Sequence, residues 1–278
     1  MASTGRRRAP LREAESKGEQ VARTDTFEWL ARGGLVARGV VYAIIGVLAL
    51  KLALGDGGDA TNQQGALQKI ADAPFGKVLL AIVAVGLIGY ATWRLVRAAL
   101  GHGPEAHDDT KDRISSLASG IAYTALSVTA IMILAGSGGG GGNPDKATGG
   151  VLDWPAGRVL VAIGGLVFIG VAIDQAIKGL RRKFLEDSKT EQMGEGTRKA
   201  FTGVGIAGHV ARAVVFTLIG WFLIRAAIDY NPDEAVGLDG ALAKLGQSTF
   251  GPAVLGLVAA GLVAFAVYSI FDARYRRV

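Results

Sequence analysis

A unit of two apolar segments joined by a short loop recurs three times along this 278-residue chain, so its fold must be one that a single unit can begin and three can complete together. The run Leu35 to Gly46 (LVARGVVYAIIG) returns at His209 to Gly220 (HVARAVVFTLIG), and more faintly at Leu117 to Ser127 (LASGIAYTALS). The second half repeats as well: Gly65 to Gly76 (GALQKIADAPFG) is echoed by Gly240 to Gly251 (GALAKLGQSTFG), with Val151 to Gly157 (VLDWPAG) as the middle copy. Tyr42 aligns with Tyr123 at 81 residues and Phe216 at 174, and Gly76 aligns with Gly157 at 81 and Gly251 at 175. Seven of sixteen residues match between 35–50 and 209–224, so units one and three should be the most alike.

The repeated segments are apolar all round. Val78 to Trp93, Ile114 to Gly142 and Ala253 to Phe271 carry no charged side chain, whereas a helix of a soluble bundle must show a polar stripe. A span needs about 20 residues to cross roughly 30 Å of hydrocarbon. The pattern predicts an all-α membrane protein with six transmembrane helices. Unit one, 27–101, holds spans at about 35–54 and 77–98; unit two, 102–190, at about 114–135 and 157–177; unit three, 191–278, at about 204–228 and 252–271. The basic segment 1–26 has no apolar stretch behind its arginines, which argues against a signal peptide, and its composition predicts a disordered cytoplasmic tail.

Of the 30 Lys and Arg residues, 23 fall on the side of the two chain ends and seven on the other, so the positive-inside rule predicts both termini in the cytoplasm. Each unit is a pair of spans, and successive units therefore enter the bilayer from the same side. Such parallel repeats are related by an axis along the membrane normal, which predicts a pseudo-threefold bundle whose centre is either a packed core or a solute path. The outer loops end in short elements before Gly76, Gly157 and Gly251, and the first and third read as amphipathic helices at the interface. In the middle unit the glycine run 138–142 is expected to replace that helix.

Chemistry-bearing residues are few. The chain has no cysteine, its three histidines are scattered, and it lacks phosphate-binding, zinc-protease and nucleophile-elbow motifs, so no catalytic site, cofactor or metal is expected. The net charge of +6 is met by a basic membrane face and does not call for nucleic acid; the lipid bilayer is the expected partner, and no protein partner can be read out. Charges inside spans are costly by about 3 kcal/mol and mark sites of interest. Arg38 and Arg212 are repeat-matched. They either snorkel or form an intramembrane cluster with Asp174 and Asp272, each of which also has a local partner four residues on, Lys178 or Arg276. Tyr90, Trp93, Trp154 and Tyr268 sit near span ends and are expected as interface aromatics.

The motifs ARGVVYAIIG and PFGKVLLAIVAVGLIGYATWR and the closing DARYRR, carried by Arg38, Tyr42, Gly76, Tyr90, Trp93 and Arg94, resemble the bacterial membrane family described as domain of unknown function 1206, from about Phe27 to the C-terminus. The resemblance implies three copies of a two-helix domain in a bacterial inner membrane and supplies no activity. Ser119 at the place of Arg38, and Ala156 at that of Phe75, depart from it in the middle unit. The reading that follows is a structural or accessory membrane component, with a small-solute or ion permease as the alternative.

Overall fold

The computed structural model describes residues 25–56, 60–100, 110–137 and 144–277. The expected tail and the glycine run at 138–142 lie outside them, except for the tail's last two residues. Among the described residues there are nine α-helices: α1 (Asp25–Leu54), α2 (Gln63–Ala71), α3 (Gly76–Leu100), α4 (Thr110–Leu134), α5 (Pro144–Leu152), α6 (Gly157–Leu180), α7 (Glu195–Asp229), α8 (Leu238–Gly246) and α9 (Gly251–Tyr275). Six of them, α1, α3, α4, α6, α7 and α9, are long and apolar enough to cross a membrane. They run past the expected spans. Helix α7 has 35 residues, roughly 52 Å at helical rise, and so overshoots a hydrocarbon layer of about 30 Å.

The three units are more regular than their letters. Helices α2, α5 and α8 have nine residues each and stand at the repeat offsets, so the middle unit keeps the short helix that the glycine run was expected to displace. The expectation fails because Pro144 to Leu152 lies beyond the run and suffices for a helix by itself. Each short helix ends in the same tight turn, in which the amide of Gly76, Gly157 or Gly251 donates to the carbonyl of Ala73, Trp154 or Ser248 at 2.7, 2.8 and 2.7 Å. A side chain at any of these glycines would strike the last carbonyls of the short helix, at Ile70 and Ala71, at Val151 and Leu152, or at Leu245 and Gly246. That close approach explains why all three units carry glycine there.

The long helices pack side by side in the order α4, α3, α1, α9, α7, α6. The largest interfaces join the second long helix of one unit to the first of another: α3 to α4, α6 to α7, and α9 to α1. Within units, α1 packs on α3 and α7 on α9, but no comparable interface joins α4 to α6 among the described residues. The glycines explain the difference. Gly34 of α1 abuts Tyr90 of α3, and its equivalent Gly208 of α7 abuts Phe265 of α9, the equivalent of Tyr90. In the middle unit these positions are Ser115 and Val171, which removes the glycine seat on which an aromatic residue brings two backbones together. Accordingly α4 and α6 are the least buried of the six.

Candidate functional site

One end of the bundle carries the short helices and the other carries buried charge. At the charged end Asp272, fully buried on α9, accepts from two arginines. Arg38 Nη2 reaches Asp272 Oδ2 at 3.3 Å, and Arg276 Nη1 reaches Oδ1 and Oδ2 at 3.2 and 3.0 Å. Arg38 Nη1 donates to Tyr90 Oη at 2.9 Å and its Nε to Ser269 Oγ at 3.2 Å, while the Ser269 hydroxyl donates to the Phe265 carbonyl at 2.8 Å. Its guanidinium also lies over the rings of Tyr90 and Phe265, 5.3 and 5.0 Å from their centroids. This single cation therefore ties α1 to both α3 and α9. A buried ion pair is sustained by further hydrogen bonds to its groups, and here the serine and tyrosine supply two of them.

The network continues into the segment between α6 and α7. Arg276 Nη2 donates to Asp187 Oδ2 at 3.0 Å, and Arg97 Nη2 lies 3.8 Å from Asp187 Oδ1. The Arg277 amide donates to the Asp187 carbonyl at 2.9 Å and the Lys189 amide to the Tyr275 carbonyl at 2.7 Å, so the chain end is laced to this segment by backbone as well. Burial alone disfavours the Arg276 cation, but Asp272 and Asp187 outweigh it and hold its pKa above the usual arginine value. Trp93 is enclosed by guanidinium groups, with Arg94, Arg97 and Arg276 each 5.2 Å from a ring centroid. Two 3-10 turns, Lys183–Leu185 and Thr190–Gln192, shape the segment and set Phe184 beneath it, where it stacks on His209 and meets Tyr268 edge-on.

The four charged candidates thus divide. Arg38 and Asp272 pair across helices. Asp174 instead binds its neighbour Lys178 at 2.8 Å and is nearly half exposed, so it does not join the cluster. Arg212 makes no hydrogen bond or ion pair among the described residues; its guanidinium lies among the rings of Tyr42, Phe216 and Phe265 at 5.5, 5.2 and 4.5 Å. Three of the four aromatic candidates need correction as well. Tyr90, Trp93 and Tyr268 are buried between helices, because each is turned toward the arginines and rings of the charged end. Trp154 is 62% exposed at the other end, where Phe75 and Phe250 of the other two turns are exposed as well.

Several members of the site went unread in the sequence. Ser269 and Asp187 carried no signal that marks a ligand of an arginine. Gln175 is buried and its Oε1 lies 2.7 Å from His209 Nδ1; with the amide oxygen accepting, Nδ1 is the donor, and Nε2 has no hydrogen-bond partner among the described residues. The repeat register held one clue: Gln175 of α6 and Ser269 of α9 are equivalent, and both bond a residue on the first helix of the unit that follows. Among the described residues no group of three or more His, Cys, Asp or Glu is placed to hold a metal.

A similar protein from Bacillus subtilis (strain 168), "Uncharacterized protein YxxB", is 35% identical over 258 residues, covering 91% of this chain and 93% of the relative. No solved structure matches the chain. The family model "Domain of Unknown Function (DUF1206)" matches three times, at residues 33–101, 114–182 and 207–276, and these three matches coincide with the three helix units. Since that model matches most of the chain in three tandem copies and that relative is 35% identical over 91% of it, the chain belongs to the DUF1206 family.

Proposed function

We propose that this chain is a non-catalytic, multi-pass protein of the bacterial inner membrane, a structural or accessory component whose three units stand around a pseudo-threefold axis with the charged end in the cytoplasm. The observation that carries the reading is how the buried charge is used: Arg38 and Arg276 both close on Asp272, which fastens the first long helix to the last. Two further features support the axis. The interfaces α3 to α4, α6 to α7 and α9 to α1 are repeat equivalents, and the last of them joins the third unit back to the first, which a row of units would not do. The cytoplasmic assignment follows the basic excess at the charged end.

Single cysteines test the orientation. Asp233→Cys should react with an impermeant thiol reagent added outside intact cells, whereas Lys189→Cys should react only after lysis; the reverse pattern would invert the reading. A permease is the second reading, favoured by a cavity of about 360 Å³ between α1, α6, α7 and α9. Solute release from vesicles containing the full chain, absent from protein-free vesicles and lost on filling that cavity, would favour transport over a structural role.

A further inference from the structure

Arg212 and Arg38 are repeat equivalents in opposite surroundings. Asp272, the partner of Arg38, stands twenty-one residues beyond Gly251; at the same distance from Gly157 and Gly76 stand Lys178 and Arg97. Since α6 packs on α7 as α9 packs on α1, the arrangement that serves Arg38 offers Arg212 a cation in place of a carboxylate. Asp174, one turn earlier on α6, is taken up by Lys178. Arg212 is left with a buried Nε that has no acceptor among the described residues. A buried donor without a partner is destabilising, and an ionised group inside a membrane bundle marks a functional site unless something pairs with it.

What Arg212 faces is a cavity of about 360 Å³. Its walls are apolar, with Phe168, Val215, Phe216, Ile219, Leu223 and Leu262 among them, and Gln63 and Thr148 add polar groups from the short helices. Aromatic rings cover the guanidinium, at 4.5 Å for Phe265, so its N–H edge is the part left for a ligand. The eleven helical steps from Arg212 to Leu223 rise roughly 16 Å, about half of a hydrocarbon layer of some 30 Å, which is the depth of one leaflet. Helices α1, α6, α7 and α9 all contribute to the wall, but among the described residues α4 does not, and no close interface joins α4 to α6. The side of α6 away from α7 is thus the side on which, among the described residues, no second long helix of the bundle closes on it, and the side from which a bilayer component would enter.

We propose that this cavity binds a single-chain amphiphile with a carboxylate head, of the fatty-acid type, drawn from the bilayer between α4 and α6, its carboxylate on Arg212 and its chain along Phe216, Ile219 and Leu223. A carboxylate matches the planar donor edge of a guanidinium and supplies the negative charge that Lys178 withholds. The volume lies at the small end of the range for ligand sites, roughly 300–1,000 Å³, which suits one chain and not a two-chain lipid with its headgroup. The inference rests on the chain being embedded in a membrane, and on neither the threefold axis nor the orientation.

The test is equilibrium binding of radiolabelled myristate to the purified full chain in a mild non-ionic detergent, with myristyl alcohol and phosphatidylglycerol as competitors. Myristate should bind saturably at one site, and the alcohol, equal in length but uncharged, should compete at least tenfold more weakly. Arg212→Gln should weaken binding at least tenfold. Leu223→Trp, which fills the cavity and leaves Arg212 in place, should do the same, and it keeps the proposal testable should Arg212→Gln fail to fold. Arg225→Gln serves as the control, because Arg225 is exposed and paired with Asp229 at 3.2 Å. Unchanged binding in either folded cavity variant, equal competition by the alcohol, or displacement by phosphatidylglycerol as readily as by myristate would each overturn the proposal. None of these results depends on the thiol-labelling pattern, so the failure of one reading leaves the other standing.

Discussion

Replacing Asp272 with asparagine should destabilise this protein more than replacing either arginine it serves. Asp272 is fully buried and Arg38 and Arg276 are each only 6% exposed, so the neutral variant leaves two buried cations around a group that no longer compensates them. Removing one partner of a buried pair costs about 3–5 kcal/mol, and this aspartate is the partner of two. Arg38 would retain Tyr90 and Ser269, and Arg276 would retain Asp187, which keeps the expected loss inside that range. Arg38→Met works differently. It removes one cation and leaves Asp272 paired with Arg276 at 3.0 Å, so the expected loss is about 1.5–3 kcal/mol, the scale of hydrogen bonds to a charged group. Combined with Asp272→Asn, the methionine should recover part of the loss, since one of the two orphaned cations is gone. Equilibrium unfolding of the full chain in mixed micelles, followed by circular dichroism, measures all three variants. If Asp272→Asn fell within about 0.5 kcal/mol of the parent, or if Arg38→Met cost more than Asp272→Asn, the idea of a shared carboxylate would be wrong.

Three further groups of substitutions probe the repeat itself. Gly76→Ala, Gly157→Ala and Gly251→Ala should each lower thermal stability in detergent by about 1–3 kcal/mol, because the new methyl meets backbone carbonyls that cannot move aside, whereas Gly33→Ala and Gly164→Ala, with open space around them, should be neutral or slightly stabilising. Gln175→Leu should cost about 1–3 kcal/mol by orphaning the Nδ1 of buried His209, and a matched His209→Leu in the same background should restore part of it in a double-mutant cycle. Gly34→Leu and Gly208→Leu should each force apart a helix pair, α1 from α3 and α7 from α9, and lower the melting temperature, while Ser115→Leu, whose helix has no such partner within its unit, should be tolerated far better.

The chain's own letters were enough for its one-dimensional order. Six apolar lengths, three tandem units and the glycines at 76, 157 and 251 follow from composition and spacing, since span length and turn chemistry are local properties. Height along a span was legible as well: Tyr90, Trp93 and Tyr268 were expected near span ends, and they lie with Arg38 and Asp272 at one end of the bundle. Direction around the helix was not. A residue near a helix end looks the same in sequence whether it turns toward lipid or toward a neighbouring helix, which is why Tyr90, Trp93 and Tyr268 read as interface anchors and proved to be buried. The same ambiguity hid the fate of the arginines. Arg38 and Arg212 stand in closely similar local sequence, and what separates them is the helix each faces, α9 with its aspartate or α6 with its lysine at that position, a fact set by packing between residues more than two hundred apart in one case and by a different unit in the other. Only the tertiary structure decides that one cation is neutralised and the other waits for an anion, because charge pairing depends on neighbours that the chain brings together late.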